Sequence, residues 1–287
     1  MALCALFRSG MLMAALWMLV AGAHAAPVAM VSDLQGKATL IAGTARTRLS
    51  MLAELEPDAQ VELDAGARMV ALYLDGSGEY LVTGPALVAI RAQQPQSIKG
   101  AAAQKRPVLG GKAGEVRLKS AGAAQGALVM RSAGPKGRIR LLNPGGTRTV
   151  ETPPEFRWQF EAAGVAYRFE LLDETGKLLY ETEVKGTAAT LPETVALAEN
   201  AAYTWTVSTR LADGRKYSST SDFSIAPANV RQQVAALRPA GTAPVSDKVA
   251  YAAWLEQLEL KDEARKVWRA LAAERPGDAR LESLARE

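Results

Sequence analysis

The chain has 287 residues, with 34 basic against 30 acidic side chains, a net charge of +4 and 48% apolar residues. It holds one cysteine, Cys4, and one histidine, His24. Everything after residue 25 is therefore without the side chains for a disulfide, a His or Cys zinc site, or a Ser-His-Asp triad. The apolar content is enough for two or three small cores.

Residues 1–25 read as a cleavable secretory signal peptide. Arg8 gives the basic start and Met11–Ala21 the apolar run. Ala23 and Ala25 place small residues where a signal peptidase accepts them. The run is shorter than the roughly 18–20 residues of a spanning helix. Cleavage predicts a periplasmic mature chain, 26–287, that does not span the membrane. No cysteine follows the cleavage point to carry a lipid.

Val28 to Arg91 reads as short strands separated by turn signals, which predicts an all-β unit over 26–92. Asp75-Gly76-Ser77-Gly78 is the strongest of these signals, read as a hairpin turn. The order of segments here resembles the FecR domain, a periplasmic β module. Gly36-Lys37-Ala38-Thr39-Leu40, Leu55 to Val61, Ala67 to Leu74, Asp75-Gly76-Ser77 and Leu81 to Ile90 carry that resemblance. Signal regulators of that family place a cytoplasmic anti-sigma segment and a membrane helix before the domain. Here the apolar segment begins at Met11, so the resemblance implies a protein-contacting envelope module rather than an anti-sigma factor.

Residues 93–138 read as a basic Ala/Gly-rich linker or excursion, with two possible strands at Glu115–Lys119 and Ala127–Arg131. Lys105, Arg106, Lys112, Lys136 and Arg138 lie in this basic stretch. They are candidate contacts for an anionic ligand such as cell-wall glycan. No aromatic side chain is interleaved, so nucleic acid is not expected as a partner.

Residues 139–227 predict a β-sandwich. Phe156-Arg157-Trp158, Tyr167 to Leu171 and Tyr203 to Val207 alternate apolar and polar residues. Roughly seven strands fit a sandwich of this kind. The pattern resembles a fibronectin type III-like domain. The resemblance implies that Trp158 is a buried tryptophan of the second strand. It also implies that the Tyr203 hydroxyl bonds back to the corner near Leu197.

Residues 228–246, with Pro239, Gly241 and Pro244, read as a joint. Residues 247–287 read as helical. Tyr251, Leu255 and Leu258 form one stripe with Trp254 at its flank. Asp262 and Asp278 are predicted caps of the second and third helices. Ala252, Leu255, Ala264, Trp268, Leu271 and Pro276 make this segment resemble a tetratricopeptide repeat, with Glu259 where that repeat has glycine. An isolated repeat buries too little surface to stand alone. It is expected to pack on the sandwich, self-associate or dock to a partner.

The chain is thus expected to be mainly β, with two β units and a short helical segment. No catalytic, metal or cofactor residues are assigned. The acidic pairs Asp173-Glu174 and Asp262-Glu263 fall at a turn and a helix start, where turn chemistry and helix termini account for them. A non-enzymatic envelope protein that binds another protein is expected, with Tyr251, Trp254 and Trp268 as candidate contacts. Binding of peptidoglycan or another anionic glycan is the alternative.

Overall fold

The computed structural model describes residues 25–111, 118, 138–162 and 164–286. The expected signal peptide, apart from Ala25, lies outside these residues. So do both expected strands of the linker, apart from Leu118.

The protein is mainly β, with antiparallel sheets followed by C-terminal helices. The first unit is a sandwich of two five-stranded sheets. One sheet contains β1 (Ala29–Gln35), β4 (Glu54–Leu55), β6 (Arg68–Tyr73), β7 (Glu79–Thr83) and β10 (Gln104–Arg106), in the order β10-β7-β6-β1-β4. The other contains β2 (Ala38–Ala42), β3 (Ala45–Arg48), β5 (Gln60–Leu63), β8 (Ala86–Ile90) and β9 (Pro95–Lys99), in the order β3-β2-β5-β8-β9. Between the sheets lie Val31, Leu55, Val61, Met69, Tyr73, Val82, Val88 and Ile90, all buried. Tyr73 meets Tyr80 edge to face at 5.2 Å, the favoured geometry for aromatic pairs.

Asp75–Gly78 turns β6 into β7. Gly76 takes a φ of 81°, a conformation that glycine adopts without steric cost. The Ser77 amide donates to Asp75 Oδ1 at 2.8 Å. At the next turn Gly84 is constrained by space rather than by φ. A Cβ there would lie 2.0 Å from the Asp64 carbonyl oxygen.

The first unit runs past residue 92. β9 and β10 complete its two sheets, followed by a 3-10 turn over Val108–Gly111. Composition hid these strands because each is an edge strand, with little apolar surface to bury.

The second unit is another sandwich. Its small sheet has the order β11-β13-β16, from Arg140–Asn143, Phe156–Gln159 and Ala188–Ala189. Its larger sheet contains β12 (Thr147–Thr149), β14 (Tyr167–Asp173), β15 (Leu178–Val184), β17 (Ala202–Arg210) and β18 (Lys216–Ile225), in the order β12-β18-β17-β14-β15. β12 pairs in parallel with β18. The Phe156 ring stands edge-on to Phe169, Trp205 and Phe223 at 4.8, 5.2 and 5.5 Å. Trp158 is buried. The Ala198 amide donates to the Tyr203 hydroxyl at 2.7 Å, tying β17 to the corner before it.

Four helices follow: α1 (Ala228–Leu237), α2 (Val245–Gln257), α3 (Lys261–Glu274) and α4 (Ala279–Arg286). The expected joint at 228–246 is corrected by α1. Between Pro227 and Pro239 the chain is free of Pro and Gly, and Val230, Val234 and Leu237 share one face. The prolines and glycine that suggested a joint end α1 and start α2, whose N-terminal flank is Pro244.

Asp278 caps α4, accepting from the Arg280 and Leu281 amides at 3.0 and 3.1 Å. Asp262 does not cap α3. It lies inside the first turn, pairs with Arg265 and accepts from the Gly145 amide at 3.2 Å.

Candidate functional site

The helices are placed by β6. Met69 to Leu74 is apolar without alternation, which is the mark of a strand covered on both faces. Met69, Ala71 and Tyr73 face the sandwich core. Leu72 and Leu74, with Met30 of β1, face outward into a second core built with the helices. α2 lies over them, and every residue from Ser246 to Ala252 is buried. α2 is therefore enclosed by the sheet on one side and by α1 and α3 on the other, as expected for a helix with little exposed face.

The same helices hold the second sandwich. Glu259, in the turn between α2 and α3, has a φ of 61°. It takes the left-handed conformation usually reserved for glycine. Its carbonyl accepts from Thr147 Oγ1 and from the Arg148 amide, both at 2.9 Å. The Lys261 amide donates to Thr147 Oγ1 at 2.9 Å. Lys266 reaches Glu151 at 3.0 Å. One helical unit thus joins two β-sandwiches.

This arrangement revises the candidate partner contacts. Tyr251, Trp254 and Trp268 are 2%, 8% and 2% exposed, which leaves almost no surface for a partner. Tyr251 Oη donates to the Val234 carbonyl at 2.9 Å, and Trp268 Nε1 donates to Glu256 Oε1 at 2.8 Å. They are core residues of the joint because the hydrophobic faces they belong to meet other parts of the same chain.

The basic candidates are not brought together as a patch among the described residues. Lys105 is exposed and its Nζ lies 5.9 Å from the Tyr80 ring centroid. Arg106, on the other face of β10, pairs with Glu79 at 3.4 Å. Arg138 is exposed at the start of the second sandwich. Lys112 and Lys136 lie outside the described residues.

Glu79 was missed by the sequence reading. It starts β7 and points away from the sandwich core, in register with Leu72 and Arg106. Such a position is ordinarily wet. Here α2 covers it, and Glu79 is 0% exposed. Glu79 Oε1 accepts from Ser246 Oγ at 3.3 Å. Oε2 has no partner among the described residues.

Burial pushes the Glu79 carboxyl up to about 7, with Arg106 opposing and Asp247 and Asp33 adding to the rise. Burial also raises Asp247, opposed by its bond from the Leu109 amide at 3.0 Å and by Arg106. Around this pair Arg275 reaches Asp33 at 3.3 Å and Lys248 reaches Glu274 at 2.5 Å. The signal for this cluster was the unbroken apolar run of β6, which demanded a cover over the face that Glu79 shares.

Among the described residues, no group of three or more His, Cys, Asp or Glu is placed to hold a metal ion. No helix among them is long and apolar enough to cross a membrane. No protein-family model matches the chain, and no curated protein sequence does. Among solved structures, the crystal structure of CopC from Methylosinus trichosporium OB3b is similar at a TM-score of 0.25 with 21% identity. The match covers 32% of this chain and 96% of that one, a likeness too slight to bear on fold or function.

Proposed function

We propose that the protein is a non-enzymatic component of the bacterial envelope, acting in the periplasm by binding another protein. Its first sandwich would be FecR-like, its second fibronectin type III-like and its helices tetratricopeptide-like. The observation that carries this reading is the joint. The helical segment is used inside the molecule to fix two sandwiches, so contacts with partners fall to the sandwiches. Three edge strands carry exposed large apolar side chains, Ile98 on β9, Leu142 on β11 and Leu178 on β15, 47%, 39% and 48% exposed. Edge strands offer unpaired backbone groups as well as side chains to a partner.

The absence of His and Cys after residue 25 supports a non-enzymatic role. The glycan alternative is weakened, because Arg106 is turned to the buried Glu79 rather than to solvent.

Photo-crosslinking side chains placed at Ile98 and at Leu178 in the exported protein test the reading. A discrete adduct with one envelope protein from either position is expected. Absence of adducts from both, with the protein correctly exported, overturns it. N-terminal sequencing tests export itself, with a mature start near Ala26 expected.

A further inference from the structure

We propose that the Glu79 carboxyl is a proton-controlled latch between the first sandwich and the C-terminal helices. With its proton it keeps α2 seated on the sheet, and without it the seat loosens.

The geometry is that of an interface rather than of an isolated residue. Glu79 belongs to the sheet, and from the helices Ser246 of α2 donates a hydrogen bond to it. The groups that face it are Arg106 from β10, Asp247 from α2 and Asp33 from β1. β6 and the 3-10 turn bring no charge to this spot: Leu72 is the nearest β6 partner, and the turn is Val-Leu-Gly-Gly.

The balance of these groups decides the preferred state. Asp33 is engaged by Arg275, and Lys248 by Glu274. Among the described residues, Arg106 is left as the cation shared between Glu79 and Asp247. Among these described groups, one cation between two carboxylates leaves a net negative charge in a buried interface. The bare Oε2 leaves that charge incompletely solvated. Buried charge of this kind is costly unless it is paired and hydrogen-bonded. A proton on Glu79 removes the excess, and the raised carboxyl accords with this.

Opening the interface returns Glu79 to water, where it ionises freely. The open state therefore gains over the closed state as pH rises. The latch depends only on the joint, not on which partner the sandwiches bind.

Hydrogen exchange of the full chain, corrected for the pH dependence of chemical exchange, tests this. Opening of the α2 segment 245–257 is expected to increase about tenfold between pH 6 and pH 8. Segment 202–210 of the second sandwich is expected to stay constant. Glu79→Gln keeps the shape of the protonated side chain and is expected to abolish the slope in α2. A pH-independent α2 in the wild-type chain overturns the latch, as does an unchanged slope in Glu79→Gln. Should that variant not fold, Asp247→Asn gives an independent reading. It removes a charge that raises Glu79, so the midpoint of α2 opening moves to lower pH. A midpoint that stays or rises overturns the latch.

Discussion

The two sandwiches solve the same packing problem in different ways. The second is finished by its own strands. Its large strands alternate strictly, with Tyr203, Trp205 and Val207 inward and Thr204, Thr206 and Ser208 toward the other face. Polar groups on that outer face find partners across the sheet, as Thr206 does with Thr220 at 3.0 Å. The first sandwich is not finished by its own strands. Its β6 is apolar on both faces, and one of its outer faces is completed by helices from the far end of the chain. A sheet covered on both sides loses the alternation that makes it readable, and it places any polar residue on the covered face at risk. Glu79 is that residue.

Removing α2, α3 and α4 separates the two designs most sharply. A chain ending before Val245 exposes Met30, Leu72 and Leu74 at once. Such a contiguous apolar patch favours aggregation. Loss of soluble protein is expected, measured by size-exclusion chromatography. A soluble, monomeric truncation would show that the first sandwich is self-sufficient after all.

Trp205→Ala attacks the self-contained core instead. Trp205 is fully buried, touches Phe156 and donates from Nε1 to the Pro144 carbonyl at 3.0 Å. A loss of about 3–5 kcal/mol is expected from a tryptophan cavity, read by urea unfolding.

Glu79→Gln probes the covered face and has a sign that depends on pH. The folded carboxyl sits near 7 against an ordinary value of 4.5, so the folded chain holds its proton more tightly than the unfolded chain. The unfavourable contribution of wild-type Glu79 is absent below about pH 4.5, grows as pH rises to about 7 and is constant above. The variant is expected to be more stable than wild type by up to about 3 kcal/mol at pH 8 and by less than about 1 kcal/mol at pH 5. Urea midpoints at the two pH values check this.

Thr147→Val is the mildest change. It removes the hydroxyl that bridges the Glu259 carbonyl and the Lys261 amide. A cost of about 1–2 kcal/mol is expected, with the effect confined to exchange in the α2–α3 turn and β12. An equal rise in exchange across the first sandwich would mean that the joint does not act locally.

The strands of the second sandwich were legible because period-2 patterns are local, and Tyr203 was legible because its bonded partner is five residues away. The cap at Asp278 is local in the same sense. The joint was not legible, because it depends on which distant surfaces meet. Leu72 and Val249 share a core although separated by the whole second sandwich. Asp262 shows the same limit in one residue. As a cap its carboxylate would have served its own helix, yet it serves the Gly145 amide, 117 residues away. The aromatic trio Tyr251, Trp254 and Trp268 looked available for a partner for the same reason. Their apolar character is local information, whereas their burial is not. α1 was obscured differently, since Pro227, Pro239 and Pro244 bound it so closely that the punctuation outweighed the helix formers between them.

The cover over β6 also sets an order of events when the chain is made. Ser246 lies 167 residues after the Glu79 that it contacts. The first sandwich ends with β10 at Arg106, so at about 5–20 residues per second it emerges roughly seven to thirty seconds before the helix that completes it. During that interval Met30, Leu72 and Leu74 form an open apolar surface on an otherwise finished sheet. The nascent protein is therefore most vulnerable to mispairing with another chain after its first domain has formed and before its last helices arrive.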